Sequence, residues 1–432
     1  MTDIPREFDD RYRKHRERLN VSSIAAEYEQ FAENHLRSIR SVPGRPVSMA
    51  CFEEALLSSI RGDSIGSPEK PVVGVYCNFV PDELIHAAGA VPARLCSGSP
   101  SAATVAEEYL PRDVCPVVRS CFGHIAVGAG LAKRAAVVVV PASCDGKRKL
   151  PGFLRDYLDV WVVDIPGRRD YATDMQVWLR ETKLVRSRLE ALTGRRISYD
   201  DLRESIILYH RRTEAFRDLV DLRMRYPHIL SGRDFMLVTN ASFAFDVRSW
   251  TDAVRALLGE LKRQAQEKPA SPAGFLPLVL TGSPIIWPNF KMLSIIEEAG
   301  AAIVADTLCS GTQRLFDPVQ VDEWTDEGMM RALALRYFSA SLCPCFSDSA
   351  DSIDRVLELV QDYSARGVVS HNLRLCQLID METSRLRTVL RDRGIPFLGI
   401  HTDLSQEDRE QVKTRVEAFL EMIGDVSEPY GG

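Results

Sequence analysis

Residues 135–144 read Ala-Ala-Val-Val-Val-Val-Pro-Ala-Ser-Cys, an apolar and largely β-branched run followed by a cysteine. Such a run predicts a buried strand of a parallel sheet, and Cys144 then lies just beyond its carboxyl end. In an open α/β sheet, functional groups gather beyond the carboxyl ends of the strands. A second strand-like run, residues 367–370, precedes Cys376. Both cysteines therefore occupy positions typical of a functional site.

Strand and helix patterns alternate along most of the chain, which predicts an α/β protein. Eight strands are expected, at Val72–Tyr76, Val91–Leu95, Ala135–Val140, Val160–Ile165, Leu278–Thr281, Ala302–Ala305, Gly367–Val369 and Pro396–Thr402. They form two successive groups, which predicts two doubly wound lobes with a cleft between them. Cys144 and Cys376 would face each other across this cleft.

The remaining parts of the chain have helical patterns. Residues 174–268 show helical periodicity with breaks at Thr193-Gly194 and Ser231-Gly232, and the N-terminus contains a highly charged segment, Arg11–Arg18, and an amphipathic one, Ile24–Ile39. We therefore predict four parts: a helical N-terminal extension (residues 1–65), a first α/β lobe (66–170), a helical middle region (171–270) and a second α/β lobe (271–432).

Charge and missing motifs narrow the class of protein. The chain has 432 residues and a net charge of −6 with interspersed signs, which predicts binding to neither nucleic acid nor a membrane surface. The N-terminus lacks the apolar core of a signal peptide, and no run approaches the roughly 18 apolar residues of a membrane span, so we expect a cytoplasmic protein. The glycine patterns of a P-loop and of a nicotinamide-binding turn do not occur in the sequence, which argues against both.

The chain contains ten cysteines. In a reducing compartment, metal ligation or redox chemistry explains clustered cysteines better than disulfides do, while buried inert thiols remain the default for the rest. Cys115, within Asp-Val-Cys-Pro, joins Cys144 and Cys376 as a candidate ligand. A cubane iron–sulfur cluster usually has four thiolate ligands, so three cysteines would leave one iron open to a substrate oxygen. The long spacing between the three is weak evidence by itself.

Five segments carry a more specific signal. They are residues 74–92 (Gly-Val-Tyr-Cys-Asn-Phe-Val-Pro-Asp-Glu-Leu-Ile-His-Ala-Ala-Gly-Ala-Val-Pro), 110–120 (Leu-Pro-Arg-Asp-Val-Cys-Pro-Val-Val-Arg-Ser), 143–149 (Ser-Cys-Asp-Gly-Lys-Arg-Lys), 280–284 (Leu-Thr-Gly-Ser-Pro), and the Cys376 segment with the following strand, residues 396–403. These segments resemble the 2-hydroxyacyl-CoA dehydratase and benzoyl-CoA reductase family of iron–sulfur proteins. The resemblance covers about residues 70–425.

The resemblance implies two Rossmann-like lobes that hold a [4Fe-4S] cluster, with ligands at Cys115, Cys144 and Cys376. It also implies an acyl-CoA substrate, low-potential electrons from a separate ATP-hydrolysing iron–sulfur activator, and a paralogous second subunit. Both dehydration of a 2-hydroxyacyl-CoA and ring reduction of an aromatic acyl-CoA fit, and a noncatalytic paralogous subunit is a further alternative. Glu83 matches a glutamate near the substrate and would carry a proton. Its alternative role is a helix N-terminal charge stabilised by the macrodipole.

Other cysteines leave the type of cluster open. One branch of the family resembles double-cubane proteins, in which two bridged cubanes, an [8Fe-9S] cluster, need about six thiolates and serve electron transfer or the reduction of small molecules. The additional cysteines are Cys77, Cys96, Cys121, Cys309, Cys343 and Cys345. Spacing assigns none of them as a ligand. The closely spaced Cys343 and Cys345 also fit a redox dithiol.

Several further residues have two interpretations each. His371 is five residues from Cys376 and fits a ligand, an acid or a hydrogen-bond donor, or else a structural histidine. The basic run Lys147–Lys149 fits contacts with the phosphates of coenzyme A, or else a solvated helix face. Trp287 fits the wall of an acyl pocket, or else the hydrophobic core.

Overall fold

The computed structural model of the protein describes residues 21–63, 69–267, 270–271 and 274–424. The predicted charged segment Arg11–Arg18 lies outside these residues. Within these ranges eight strands are present, at β1 (Val72–Val75), β2 (Val91–Arg94), β3 (Ala135–Pro141), β4 (Asp159–Val163), β5 (Leu276–Gly282), β6 (Ala301–Asp306), β7 (Gly367–Leu373) and β8 (Phe397–Thr402). All eight predicted strands are confirmed, with end points that shift by three residues or fewer at most ends and by four at the end of β7.

The strands form two parallel sheets of the same topology. The first sheet has the order β2-β1-β3-β4 and the second the order β6-β5-β7-β8. In each sheet the chain first adds a strand on one side of the starting strand and then crosses to its other side. The central strands are buried on both faces, as expected of parallel sheets covered by helices. The predicted α/β class with two doubly wound lobes is confirmed.

Sixteen α-helices accompany the strands in the described residues. The helices before and within the first lobe are α1 (Val21–Arg40), α2 (Ala50–Arg61), α3 (Asp82–Ala87), α4 (Pro100–Val105), α5 (Pro116–Val127) and α6 (Asp145–Leu154). The middle region contains α7 (Asp174–Thr193), α8 (Tyr199–Arg225), α9 (Gly232–Ala241) and α10 (Val247–Glu267). The second lobe contains α11 (Lys291–Glu298), α12 (Thr312–Leu315), α13 (Asp326–Ser339), α14 (Ala350–Asp362), α15 (Gln377–Asp392) and α16 (Arg409–Gly424).

The breaks predicted within the middle region coincide with helix ends. Gly194 follows α7 with a φ of 64°, a left-handed conformation that glycine adopts without steric cost. Ser231 precedes α9, and its side chain accepts a hydrogen bond from the Asp234 amide. Ser198 and Asp201 form a capping box at the start of α8, an arrangement that satisfies two amide donors that the helix itself leaves unpaired.

Hydrophobic cores join the lobes to the helical region. One core contains Leu36 of α1, Phe216 of α8 and Leu278 of β5. A second contains residues of β1 and β3 together with Trp178 of α7 and Leu333 of α13. The indole of Trp178 donates a 2.9 Å hydrogen bond to the Ala334 carbonyl, which satisfies its polar group within the core. The division of the chain into four parts stays a prediction, but both of these cores draw on more than one of the parts.

The helices of the described ranges were also compared with the dimensions of a lipid bilayer. Within those ranges, none of the helices has both the length and the apolar character that a bilayer crossing requires.

Candidate metal-cofactor site

Six cysteines line one cavity of about 180 Å³. They are Cys77, Cys115, Cys144, Cys309, Cys343 and Cys376. Three come from the first half of the chain and three from the second. The structure therefore brings together the three cysteines predicted as ligands, and it adds three others to the same wall.

In the first sheet, Cys77 and Cys144 occupy the point where the strand order reverses. Cys77 follows the end of β1 by two residues, and Cys144 follows the end of β3 by three. These strands are neighbours, while β2 lies on the far side of β1. In open α/β sheets, this reversal leaves a crevice beyond the carboxyl ends of the two strands, where ligands bind. Cys77 has a φ of 58°, an uncommon conformation for a non-glycine residue.

The second sheet repeats this arrangement. Its strand order reverses at β5 and β7, and Cys376 follows the end of β7 by three residues. Cys309 follows the end of β6 by three residues. Thr281 and Gly282, at the end of β5, also line the cavity. The two crevices thus open onto the same space.

Three of the six thiols lie at helix N-termini. Cys115 immediately precedes α5, Cys144 precedes α6, and Cys376 precedes α15. The Lys147 amide approaches the Cys144 sulfur at 3.4 Å. Unpaired amides and the positive end of the helix dipole stabilise negative charge, so these positions favour the thiolate form that metal binding requires.

Cys115 and Cys376 interact directly. A hydrogen bond with the Cys376 thiol and the amides of Val117 and Val118 lower the pKa of Cys115 to about 6, although burial acts in the opposite direction. The same hydrogen bond, followed by burial, raises the pKa of Cys376. Cys115 is therefore the thiol of this pair that ionises first.

Lys147 is a buried cation at the cavity wall. Its side chain is only 5% exposed, its Nζ lies 3.7 Å from the Cys121 sulfur, and the Tyr76 ring centroid is 4.0 Å away. Burial would lower the pKa of Lys147, but the surrounding thiols Cys121, Cys96 and Cys77 raise it above its ordinary value. The charges that stabilise the Lys147 ammonium among the described residues are therefore those of cysteine sulfurs.

This position corrects both interpretations of the basic run for Lys147 alone. Lys147 neither projects into solvent nor presents a surface charge to a phosphate, because it points inward beneath the first sheet's crevice. Arg148 and Lys149 are exposed and form the solvated helix face. Three adjacent helical residues point in directions about 100° apart, so they share no single environment.

Two cysteines lie behind the cavity rather than on its wall. Cys96 and Cys121 share a side-chain hydrogen bond. Burial opposes ionisation, but this hydrogen bond and the Lys147 ammonium lower the pKa of Cys121 to about 7.

Cys345 hydrogen bonds to Cys343, and this contact, together with burial, raises the pKa of Cys343.

Glu83 lies in the first turn of α3, where the alternative interpretation placed it. Its side chain is buried, and Tyr337 donates a 2.7 Å hydrogen bond to its carboxylate. The neighbouring Asp82 contacts Arg94, Arg212 and Arg314. Glu83 is not among the described residues that line the cysteine cavity.

His371 and Trp287 also lie away from this wall. His371 lines a small neighbouring pocket, where its Nδ1 is 3.2 Å from the Ser283 carbonyl oxygen, and burial lowers its pKa to about 4. Trp287 is buried in the core and packs against Phe290 at a ring distance of 5.4 Å. These surroundings support the structural interpretations of both residues.

The donor set of this cavity consists of thiols, which are soft ligands. Within the described ranges, no three or more His, Cys, Asp or Glu side chains are arranged compactly enough for one metal ion. Six thiols around a cavity, three at helix N-termini and with a buried cation beside them, match the ligand chemistry of iron–sulfur clusters.

The rule that selected Cys144 and Cys376 also applies to two cysteines that were not assigned. Cys77 and Cys309 both follow predicted strands, so their positions could have been inferred from the sequence. Cys343 follows the helix α13 instead, and no local pattern places it at the cavity.

Two parallel α/β lobes enclose a cavity lined by six thiols, and the comparisons assign this architecture to a class of enzyme subunits. The sequence model of the family "2-hydroxyglutaryl-CoA dehydratase, D-component" matches residues 77–423. The chain belongs to this family, and it is an enzyme subunit of the dehydratase and reductase type.

Three relatives cover most of the chain. The "Putative dehydratase subunit YjiM" of Escherichia coli strain K12 is 31% identical, over 82% of this chain and 91% of its own. The lactoyl-CoA dehydratase subunit beta of Anaerotignum propionicum is 26% identical over 86% and 99%. A benzoyl-CoA reductase subunit of Thauera aromatica is 23% identical over 87% and 96%.

Proposed function

We propose that this chain is the iron–sulfur subunit of a 2-hydroxyacyl-CoA dehydratase or benzoyl-CoA reductase type of enzyme, which uses low-potential electrons on an acyl-CoA thioester. The observation that carries the proposal is the convergence of six cysteines on one cavity at the carboxyl ends of two parallel sheets. The names of the relatives support the substrate class.

Cys115, Cys144 and Cys376 would hold a [4Fe-4S] cluster. When bound, such a cluster supplies single electrons and, at an iron without a protein thiolate, a Lewis acid. The chain's own contribution is to place these thiols at the helix N-termini of α5, α6 and α15, where the helix amides and dipole oppose the cost that burial imposes on their ionisation. Lys147 adds a fixed positive charge behind them.

The rest of the wall suits an acyl group. Val117, Val118 and Val356 supply apolar surface that excludes water. The hydroxyls of Thr281 and Thr307 lie 2.7 Å apart at the cavity, where they can donate a hydrogen bond to an acyl oxygen. These residues would bind and orient the substrate.

Glu83 stays our proposed proton carrier on the strength of the resemblance. Its carboxylate is buried and receives a hydrogen bond from Tyr337. Because it does not line the described cavity wall, this role requires a relay of groups between the carboxylate and the substrate. His371, the second predicted catalytic residue, is a weaker candidate because its ring hydrogen bonds to the backbone in a separate pocket.

The additional cysteines favour a second candidate function. Cys77, Cys309 and Cys343 complete a set of six thiols, the number that a double-cubane [8Fe-9S] cluster requires. A chain with that cluster would serve electron transfer or the reduction of small molecules, and it would need no acyl-CoA.

For the first function, we propose a paralogous second subunit and a separate ATP-hydrolysing iron–sulfur activator as partners, in the cytoplasm. The names of two relatives as beta subunits support the heteromeric assembly. The double-cubane alternative is compatible with a homodimer.

The test is the iron and acid-labile sulfide content per chain, measured under anaerobic conditions after reconstitution. Single alanine variants of the six cavity cysteines are compared with Cys51→Ala, which removes an exposed thiol of α2 and serves as the matched control. Spectra of the reduced proteins accompany each measurement.

About four irons per chain, lost on replacing Cys115, Cys144 or Cys376 but kept in the other variants, support the single-cubane enzyme. About eight irons, reduced by replacing any of the six, support the double-cubane protein. A chain that takes up no iron, or that loses iron equally in the Cys51→Ala control, contradicts both.

A further inference from the structure

A second cavity, of about 90 Å³, lies at the opposite edge of the first sheet from the cysteines. Ala90, Val91 and Pro92 line it at the start of β2, and Lys70 lines it just before β1. These strands are parallel, so their amino ends share one edge, while Cys77 lies beyond the other. The two cavities share no lining residue, and they come nearest to each other at α12, where Gln313 lines the cysteine cavity and Arg314 lines this one.

Two buried arginines form the inner wall of this pocket. Arg212 and Arg314 are at least 95% buried, and both contact the carboxylate of Asp82. The Nε–H donor of each has no hydrogen-bond partner among the described residues. A buried charged donor without a partner is destabilising, and a bound acceptor would satisfy it.

Positive charge exceeds negative charge around the pocket. Asp82 also contacts a third buried arginine, Arg94, whose Nε and Nη1 lack partners in the described residues. Lys70 and Arg248 add two cations at the rim, close to His86. Against these five cations stand three carboxylates of the described residues, Asp82, Glu83 and Asp246.

The pKa of Arg314 shows that its positive charge is poorly stabilised, with burial as the main cause and the neighbouring Arg94 and Arg212 as smaller ones. Burial lowers the pKa of Arg314 to about 10, even though the Asp82 carboxylate raises it. One carboxylate therefore compensates the three arginines only in part. A planar or tetrahedral oxyanion is best suited to supply the missing negative charge, because a guanidinium group can donate two hydrogen bonds to two of the anion's oxygens.

We propose that this pocket binds a small phosphate-class oxyanion between Lys70, Arg212 and Arg314. Tyr209 and Phe245 line the sides of the pocket. Its volume has room for the phosphate group itself but not for a large group attached to it. Among the described residues, Asp246 is the carboxylate that lines the rim, and its charge weakens anion binding. The site is independent of the cysteine cavity and of the function proposed for it.

The test is isothermal titration calorimetry of the full chain with inorganic phosphate, at an ionic strength held constant with chloride. We expect saturable binding of one phosphate per chain. Lys70→Ala should weaken it about tenfold, because a charge-assisted contact is lost. Asp246→Asn should tighten phosphate binding several-fold, because the asparagine side chain carries no repulsive charge. It also keeps the oxygen that accepts a hydrogen bond from the Arg248 backbone N–H.

Lys262→Ala is the matched control, because it removes an exposed cation of α10 that does not line the pocket. Unchanged binding in this control, with the two opposite shifts, supports the proposal. No saturable heat, equal weakening in the control, or an Asp246→Asn variant that binds more weakly overturns it. A parallel titration with acetate decides the ligand class, and tighter binding of acetate than of phosphate overturns the phosphate assignment.

Discussion

The Nζ of Lys147 lies 3.7 Å from the sulfur of Cys121, at the wall of a cavity lined by six other thiols. A buried cation favours electron uptake by any anionic group beside it. Replacing Lys147 with Met in the reconstituted chain should therefore shift the midpoint potential of the bound cluster to more negative values. A shift of about 60 mV corresponds to a tenfold change in a one-electron equilibrium, and we expect at least that. Potentiometric titration followed by electron paramagnetic resonance measures it.

Lys149→Met is the control for this shift. Lys149 belongs to the same helix but is exposed, so solvent screens its charge. Equal potentials in wild type and Lys147→Met would show that the Lys147 charge does not reach the cluster.

Cys115 should be the most reactive cavity thiol in the iron-free chain. Its pKa is lowered to about 6, so at pH 7 it is mostly thiolate, whereas burial raises the pKa of Cys144. Alkylation with iodoacetamide at pH 7, followed by peptide mass spectrometry, should label Cys115 faster than Cys144. The rate at Cys115 should fall about tenfold per pH unit well below pH 6.

The contact with Cys376 is responsible for part of this reactivity. Cys376→Ala removes the hydrogen bond to Cys115 and should slow alkylation of Cys115 at pH 7. An unchanged rate would mean that the helix amides alone hold the thiolate.

His371 should make the native state sensitive to acid. Burial lowers its pKa to about 4, so between pH 6.5 and 4 the unfolded chain binds a proton that the native chain does not. Stability therefore decreases as pH falls through this window, by up to about 3 kcal/mol from this residue. Urea unfolding at pH 7 and pH 4 should show that His371→Gln loses less stability than wild type.

A comparison variant is His210→Gln, which replaces an exposed histidine of α8. If His371→Gln and His210→Gln gave the same pH dependence of stability, the prediction that His371 is buried in its neutral form would be wrong. Retention of cluster content in His371→Gln would further argue against a ligand role.

Gly282 has a conformation that no other residue adopts without strain. Its φ is 107°, and a Cβ atom at this position would overlap the His371 carbonyl oxygen. Gly282→Ala should lower the free energy of unfolding by more than about 3 kcal/mol, measured by urea denaturation, because both the backbone and the adjacent strand must move. Gly259→Ala, in the open interior of helix α10, should instead raise it by about 0.5–1 kcal/mol. Similar effects of the two substitutions would contradict the close approach of β5 and β7.

The two sheets could be predicted because strands covered on both faces appear as continuous apolar runs. Val137–Val140 is one such run, and its residues are fully buried in the structure. The same logic placed Cys144 and Cys376 at the carboxyl ends of strands. Cys343 escaped this reasoning because tertiary packing holds its loop, through Phe346 against Phe79. The residues around Cys343 in the sequence do not indicate this long-range contact.

Lys147 illustrates a second limit. Its neighbours Arg148 and Lys149 have the same charge, and only the rotation of α6 against the first sheet decides which of the three points inward. The amino-acid composition of α6 does not determine how this helix is rotated about its own axis. The pairing of Glu83 with Tyr337 has the same origin, since the two residues are 254 positions apart in the chain.

The cavity takes its thiols from both ends of a long stretch of sequence, Cys77 to Cys376. A ribosome adds roughly 5–20 residues per second, so between about 15 and 60 s pass before the last donor is synthesised. During this interval Cys77, Cys115 and Cys144 exist without their counterparts. Delivery of a cofactor that needs thiols from both lobes is therefore an event of maturation rather than of translation. Until then, the nascent chain presents half a set of soft ligands to competing metals and oxidants in the cell.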